Sequence, residues 1–205
     1  MSTSPLIHVV DDDESMRTSV LELLEAAGFE ARGYASTGEF LLHPPPDRVG
    51  CLLLDVRLPG PSGLDLQAAL RRQGVTLPIV FLTGHANVAT SVLAMKGGAV
   101  DFLEKPVGRE VLLEALGRAL ARDASARAAR EEASEQSTRL AALTPREHEV
   151  FKRLLAGKRN KDIAAELGIG LRTVKAYRAQ LMAKLGVDSP AELGRFAGKR
   201  PDAID

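Results

Sequence analysis

The chain has 205 residues, with 27 Lys and Arg against 27 Asp and Glu and a formal net charge of zero. That length suits one large domain or two small ones, and no apolar run reaches the roughly 18 residues of a membrane span. Cys51 is the single cysteine, which excludes an internal disulfide and a cysteine metal cluster and fits a reducing cytosol. Met1 to Pro5 is too short and too polar to read as a secretory signal. The zero charge hides an asymmetry. Residues 1–106 hold 8 Lys/Arg and 13 Asp/Glu, a net of −5; residues 107–142 hold 6 and 6; residues 143–205 hold 13 and 8, a net of +5. An acidic front and a basic rear predict two domains with different partners, the rear one suited to a polyanion.

The first apolar run, Leu6–Val10, reads as a strand and ends in four carboxylates, Asp11 to Glu14. Val20, Leu21, Leu24 and Ala27 then share one face of a helix. Glu30–Tyr34 is a weaker strand. Cys51–Leu54 is a strand followed by a helix with Leu64, Leu66, Ala69 and Leu70 on one face. Ile79–Leu82 precedes a helix with an apolar face of Val88, Val92 and Met95. Val100–Leu103 precedes a helix faced by Val111, Leu112, Ala115, Leu116, Ala119 and Leu120. Five strands alternating with helices predict βαβ units and a parallel sheet covered on both faces, with its chemistry beyond the carboxyl ends of the strands.

From Ala121 to Ala142 the chain is dense in Ala, Arg and Glu and lacks Gly and Pro. Ala favours helix, and little in the stretch asks for burial. A solvated helical linker is expected, with a disordered tether as the alternative. Beyond it, Thr144-Pro-Arg-Glu147 and Ser189-Pro-Ala-Glu192 both carry an N-cap, a Pro at the first helical position and a Glu that closes a capping box. Between them Asn160 is expected to cap a short helix that stops at Gly168, and a longer helix follows Gly170 and ends near Gly186. Four helices predict a small all-α domain.

Asp11 and Asp12, Asp55, Thr83 and Lys105 each fall at or just past the end of a different strand. A parallel sheet brings such positions to one edge. Asp13 and Glu14 are accounted for as a helix start, where carboxylates oppose the macrodipole. The remaining carboxylates, with one hydroxyl and one ammonium, suit a hard cation such as Mg²⁺ and a phosphoryl group. Asp11, Asp12 and Asp55 bring −3, which Mg²⁺ and Lys105 balance. A carboxylate there could attack phosphorus in line while the cations take up charge on the transferring oxygens.

The segments HVVDDDE, LLLDVRLPGPSG, FLTGHA and GAVDFLEKP resemble the receiver domain of bacterial two-component response regulators over residues 1–121. The resemblance implies a flavodoxin-like fold with Asp55 as phospho-acceptor. It further implies Mg²⁺ held by Asp12, Asp55 and the backbone carbonyl of Arg57, with Asp11 acting largely through metal-bound water. Thr83 and Lys105 would contact the phosphoryl oxygens. Phe102 stands at the switch aromatic position and, lacking a hydroxyl, can signal only by packing. Gly84-His85 is similar to the FixJ-type branch, although His85 also reads as a plain polar loop residue. Ser15, Met16, Arg17 and Ser19 flank the pocket and are candidates for choosing the kinase. Receivers of this branch commonly dimerise on the face of the fourth helix, last strand and last helix.

In the rear segment a short helix meets a longer one through Gly168–Gly170, a helix-turn-helix layout. Val174, Leu181 and Leu185, with Tyr177 beside them, read as core. Arg172, Lys175, Ala176, Ala179 and Ala183 lie roughly opposite, a close-approach face rimmed with positive charge that suits the DNA major groove. LTPREHEV, NKDIAAELGI and RTVKAYRAQLMAKL resemble the LuxR/FixJ-type DNA-binding domain. That resemblance implies base contacts from Lys175, Ala176 and Ala179, and phosphate or base contacts from Thr173, Lys175 and Arg178. Gly170-Leu171 departs from the family's Ser-Pro and weakens the helix cap.

The expected protein is α/β and all-α. It has a five-stranded, parallel, doubly wound receiver (1–121), a helical linker (122–142) and a four-helix helix-turn-helix domain (143–205). The expected function is a cytoplasmic response regulator, not an enzyme. A sensor histidine kinase phosphorylates it on Asp55 with Mg²⁺; it then dimerises, binds double-stranded promoter DNA, contacts RNA polymerase and most often activates, without a membrane partner. The alternatives are a phosphorylation-independent regulator with a silent receiver and an aspartyl-phosphate hydrolase. The hydrolase reading expects a second Asp at position 57, which is Arg.

Overall fold

The structure is a computed structural model that describes residues 4–43, 45 and 47–198. The outermost parts of the two expected domains, residues 1–3 and 199–205, lie outside the described residues. The chain divides into two compact units, with the boundary between Ala128 and Ala129.

In the first unit the elements alternate: β1 (Leu6–Val10), α1 (Glu14–Ala26), β2 (Glu30–Tyr34), α2 (Thr37–Leu42), β3 (Gly50–Leu54), α3 (Gly63–Arg72), β4 (Ile79–Thr83), α4 (Val88–Lys96), β5 (Asp101–Glu104) and the larger part of α5 (Arg109–Ala141), whose last residues belong to the second unit. The strands form one parallel sheet in the order β2-β1-β3-β4-β5. The order reverses between β1 and β3, the switch point beyond whose carboxyl ends sheets of this kind place their sites. Alternate side chains point to opposite faces. Ile7, Val9, Cys51, Leu53, Val80 and Leu82 pack on Val20 and Leu24 of α1 and on Leu112, Ala115, Leu116 and Ala119 of α5. Val10, Leu52, Leu54 and Phe81 pack on Phe40 of α2, on Leu66 and Leu70 of α3 and on Ala94 of α4. Each fully buried Leu or Phe contributes about 1.5–3 kcal/mol. His8 on β1 is buried with its Nδ1 2.9 Å from the Tyr34 hydroxyl. Burial first, then the positive charges of Arg32 and Arg48, push its pKa down to about 4, so it sits in the core as neutral imidazole.

Two expected core faces differ in the structure. Val88, Val92 and Met95 are 80 %, 44 % and 47 % exposed. The residue by which α4 meets the sheet is Ala94, on another side of the helix, whose small side chain permits a close approach. Val111, at the start of α5, is also exposed, whereas Leu112, Ala115, Leu116, Ala119 and Leu120 are buried as the helical period requires.

The helix expected to continue beyond Ala121 does so, as α5 runs unbroken to Ala141. Its opening turns are not simply solvated. Asp123 is 1 % exposed; its carboxylate accepts from the Gly50 N–H at 3.0 Å and from Arg127 Nε at 2.8 Å. Arg127 in turn donates to Asp47 at 2.5 Å. Asp123 and Arg127 are therefore bonded to the segment that begins β3.

In the second unit the elements are α6 (Pro145–Leu155), α7 (Asn160–Leu167), α8 (Leu171–Leu185) and α9 (Pro190–Gly198). Val150, Phe151, Ile163, Val174, Leu181, Leu185 and Leu193 make its core. The Thr144–Glu147 capping box closes in both directions. Glu147 is buried and also pairs with Lys184 at 2.6 Å. At α9 the Ser189 hydroxyl accepts from Glu192 N, but the Glu192 carboxylate accepts from Asp188 N, one residue before the expected partner. Asn160 does not cap α7. Arg159 stands at the cap without a side-chain bond, and Asn160 is the first helical residue. Gly168 and Gly186 end α7 and α8 in the left-handed conformation, φ 66° and 67°, that glycine adopts without penalty. Arg139, near the end of α5, donates to the Leu185 carbonyl at 3.3 Å and so caps α8.

Candidate functional site

The carboxyl edge of the sheet gathers the residues singled out from the sequence. Asp11 follows β1 and Asp55 follows β3. Both are buried, because their strands are central and helices cover both faces. Lys105 follows β5 and reaches across the edge: its Nζ donates to Asp11 Oδ2 at 2.6 Å and to Asp55 Oδ2 at 2.8 Å. Asp12 is exposed beside them, and one carboxylate oxygen from each of Asp11, Asp12 and Asp55 lies within 4.8 Å of the others. Thr83 is the last residue of β4 and is 1 % exposed; its Oγ1 accepts from His85 N at 3.4 Å. The Arg57 N–H donates to Asp55 Oδ1 at 3.1 Å, and the Arg57 side chain is exposed. Phe102 on β5 is partly buried, its ring 5.9 Å from that of Phe81. Asp13 caps α1, accepting from Ser15 N and Met16 N, which is the helix-starting role expected for it.

Three carboxylates face one ammonium. Burial raises the pKa of Asp11, and this outweighs the lowering by its hydrogen bond and charge attraction to Lys105. Burial alone would lower the pKa of Lys105; hydrogen bonds and attraction to Asp11 and Asp55 more than compensate, and the group is held above its ordinary value as a cation. The cluster still carries an excess of negative charge. Its donors are all oxygens on short side chains, which fits a hard divalent cation such as Mg²⁺ that keeps several waters and a phosphoryl oxygen as ligands.

Gly63, at the start of α3, was not singled out from the sequence, although it closes the motif LPGPSG. A Cβ there would stand 2.2 Å from the Asp55 carbonyl oxygen, and Gly63 N donates to Val56 O. Only glycine lets α3 begin against the backbone of Asp55. Gly63→Ala is expected to cost about 1–3 kcal/mol by overpacking. A urea midpoint equal to wild type would refute this packing constraint.

In the second unit, α7 and α8 meet through the turn after Gly168. Val174, Leu181 and Leu185 of α8 are buried and Tyr177 packs beside them. Arg172, Thr173, Lys175, Ala176 and Ala179 are exposed on the other side of the helix. Gly170 caps α8 without a side-chain bond, as its lack of a hydroxyl predicts. Arg178 differs from the other five: it is half-buried, and its guanidinium donates to the Asn160 side chain at 3.2 Å, joining α8 to α7.

A doubly wound parallel sheet with two acidic strand ends, a buried threonine and a lysine bridging the carboxylates defines a receiver. A compact helix-turn-helix unit follows it. Residues 7–117 match the response regulator receiver domain, and residues 141–197 match the bacterial regulatory proteins of the luxR family. The chain is 44% identical over 196 residues to nodulation protein W of Bradyrhizobium diazoefficiens, covering 96% of this chain and 86% of that protein. It is 41% identical over 197 residues to the transcriptional regulatory protein FixJ of Azorhizobium caulinodans, covering 96% and 93%. Among solved structures, the response regulator StyR superposes with a TM-score of 0.90 at 42% identity, covering 96% of this chain and all of that one. Full-length FixJ from B. japonicum gives 0.60 at 39% identity, covering 97% and 98%. The chain belongs to the response regulators that join a receiver to a LuxR-type DNA-binding domain, in the FixJ-like branch. It is a phosphorylatable transcriptional regulator. No helix among the described residues is long and apolar enough to cross a membrane.

Proposed function

We propose that a sensor histidine kinase transfers a phosphoryl group to Asp55, and that this converts the protein into a dimer that binds promoter DNA. The observation that carries the reading is Lys105 Nζ, held 2.6 Å from Asp11 and 2.8 Å from Asp55. It supports a reading in which a carboxylate at this edge reacts beside a fixed cation, Asp55 being the one assigned. An Asp55 oxygen attacks phosphorus, a new P–O bond forms, and the bond from phosphorus to the donor's imidazole nitrogen breaks. Asp11, Asp12, Asp55 and the Arg57 carbonyl would hold Mg²⁺, which when bound supplies positive charge to the phosphoryl oxygens. Lys105 then shifts from carboxylate to phosphoryl oxygen, and the Thr83 hydroxyl turns toward the same group. Phe102 follows into the space that Thr83 leaves, which alters the surface by packing alone.

The exposed apolar side chains Val88, Val92, Leu93 and Met95 on α4 and Val111 on α5 supply material for a dimer contact on that side of the receiver. Sedimentation with Mg²⁺ and a small phosphodonor is expected to show the mass doubling; an unchanged mass while Asp55 is phosphorylated would sink the dimer step.

The receiver spans residues 1–121, residues 122–142 act as the linker, and the DNA-binding domain is 143–205. The protein works in the cytoplasm, on double-stranded promoter DNA and with RNA polymerase, chiefly as an activator. Arg172, Thr173, Lys175, Ala176 and Ala179 form the groove-facing side of α8, and Arg178 contributes beside Asn160. Two half-sites read by a dimer gain affinity through effective concentration. Replacing both Arg172 and Lys175 by Ala is expected to weaken binding and to lower the salt slope by about 2. An unaltered slope would move the DNA to another face.

A further inference from the structure

Arg17 lies on α1, one turn beyond the acidic loop, and its side chain is directed inward. Its guanidinium donates to the backbone carbonyl of Asp11 at 2.6 Å. The stem runs over β2 at Gly33, where a Cβ would stand 3.1 and 3.2 Å from Arg17 Cδ and Cγ and 2.9 Å from Leu21 Cδ1. On its other side, Asp11 donates its N–H to the Tyr34 carbonyl at 3.1 Å. The backbone of Asp11 is thus held from β2 and from α1 at once. Its side chain is fixed too, by Asp13 N and by Lys105. Asp12 differs: it is exposed, and no hydrogen bond to its carboxylate is seen among the described residues. The direction of the Asp12 side chain therefore depends on the peptide plane between Asp11 and Asp12, and Arg17 grips the oxygen of that plane. Arg17 makes no ion pair among the described residues. It bonds a neutral carbonyl and so adds no charge of its own to either carboxylate.

We propose that Arg17 is a positioning residue for phosphorylation: by holding the Asp11 carbonyl it aims the Asp11–Asp12 pair at the divalent cation. The proposal rests on the pocket being a Mg²⁺ site, as read above. It gives Arg17 a role inside the pocket, beside the candidacy for kinase selection that it shares with Ser15, Met16 and Ser19. Losing a group that orients metal ligands lowers metal affinity by about 10- to 100-fold.

The test compares the full-length wild type with Arg17→Met, which keeps an apolar stem over Gly33 without the donor, and with Arg17→Lys, which keeps a donor. Calorimetric titration with Mg²⁺ should show binding weakened about tenfold in Arg17→Met and much less in Arg17→Lys. With a small phosphodonor, the KM for Mg²⁺ should rise by the same factor while the rate at saturating Mg²⁺ stays near wild type. In metal-free protein, the ¹⁵N shift of the Asp12 amide should move in Arg17→Met, because its peptide has lost a hydrogen bond. Arg17→Met that binds Mg²⁺ like wild type would overturn the proposal. A wild type that takes up no Mg²⁺ would overturn the reading of the pocket, and this proposal with it.

Discussion

Asp55→Asn is expected to take no phosphoryl group, from a kinase or from a small phosphodonor, while folding as the wild type does. The amide occupies nearly the same volume and still offers an oxygen to Arg57 N, which in the wild type donates to Asp55 Oδ1. It lacks the anionic oxygen that must attack phosphorus. The substitution also removes one of the three negative charges that face Lys105, so cation binding weakens alongside the lost chemistry. Phosphotransfer measured on wild type and variant, with Mg²⁺ saturating, decides the matter. Label on Asp55→Asn at the wild-type rate would remove Asp55 from its role and leave Asp11, paired with the same lysine at 2.6 Å, as the next carboxylate to examine. DNA binding that responds to the phosphodonor in wild type and not in the variant would further exclude a silent receiver.

Asp123→Ala is expected to be among the most destabilising single changes in the first unit. The Asp123 side chain is 1 % exposed and satisfies two donors, the Gly50 N–H and Arg127 Nε. Truncation leaves a buried backbone donor unpaired and strips Arg127 of its inner partner, with only the fully exposed Asp47 carboxylate remaining. Breaking a buried pair on one side in this way costs about 3 kcal/mol. For a unit of this size that is a fall of about 10 °C in melting temperature. Gly50 opens β3, which carries Asp55 at its far end, so the loss is felt by the strand of the phospho-acceptor. Thermal unfolding followed by circular dichroism reads it directly. A midpoint within about 2 °C of wild type would show that the network contributes little.

The receiver pocket was legible because its residues sit at equivalent places in a repeating pattern. Each strand is a short apolar run, and the residues that matter lie where each run stops: Asp11, Asp55, Thr83 and Lys105. Once the runs alternate with helices, a parallel sheet follows, and the sheet brings these ends together. The surface of α4 was not legible in the same way. Val88, Val92 and Met95 share a stripe that looks like a core face, but a helix can approach a sheet by a small residue, and here that is Ala94. Asn160 illustrates a competing interaction. Its side chain suits a cap, yet Arg178, 18 residues later in sequence, lies across the turn and takes its oxygen. Asp123 was hidden for the opposite reason: in a run of Ala, Arg and Glu, a single carboxylate gives no sign that it is inside.

Local chemistry by itself determined the alternation of strands and helices, the capping box at Thr144 and Glu147, the glycine stops at Gly168 and Gly186, and the acidic and basic halves. These depend on period, on backbone conformation and on neighbours a few residues away, all of which are written in the chain order. Tertiary structure alone decided which carboxylates Lys105 bridges, that Gly63 must lack a side chain because Asp55 passes 2.2 Å from where its Cβ would be, and that Asp123 is buried against Gly50. It also directed Arg17 inward to the Asp11 carbonyl. Each of these is a contact between residues that the chain separates and the fold brings within a hydrogen bond or a van der Waals radius. Their energies come from burial and pairing, which no local pattern contains.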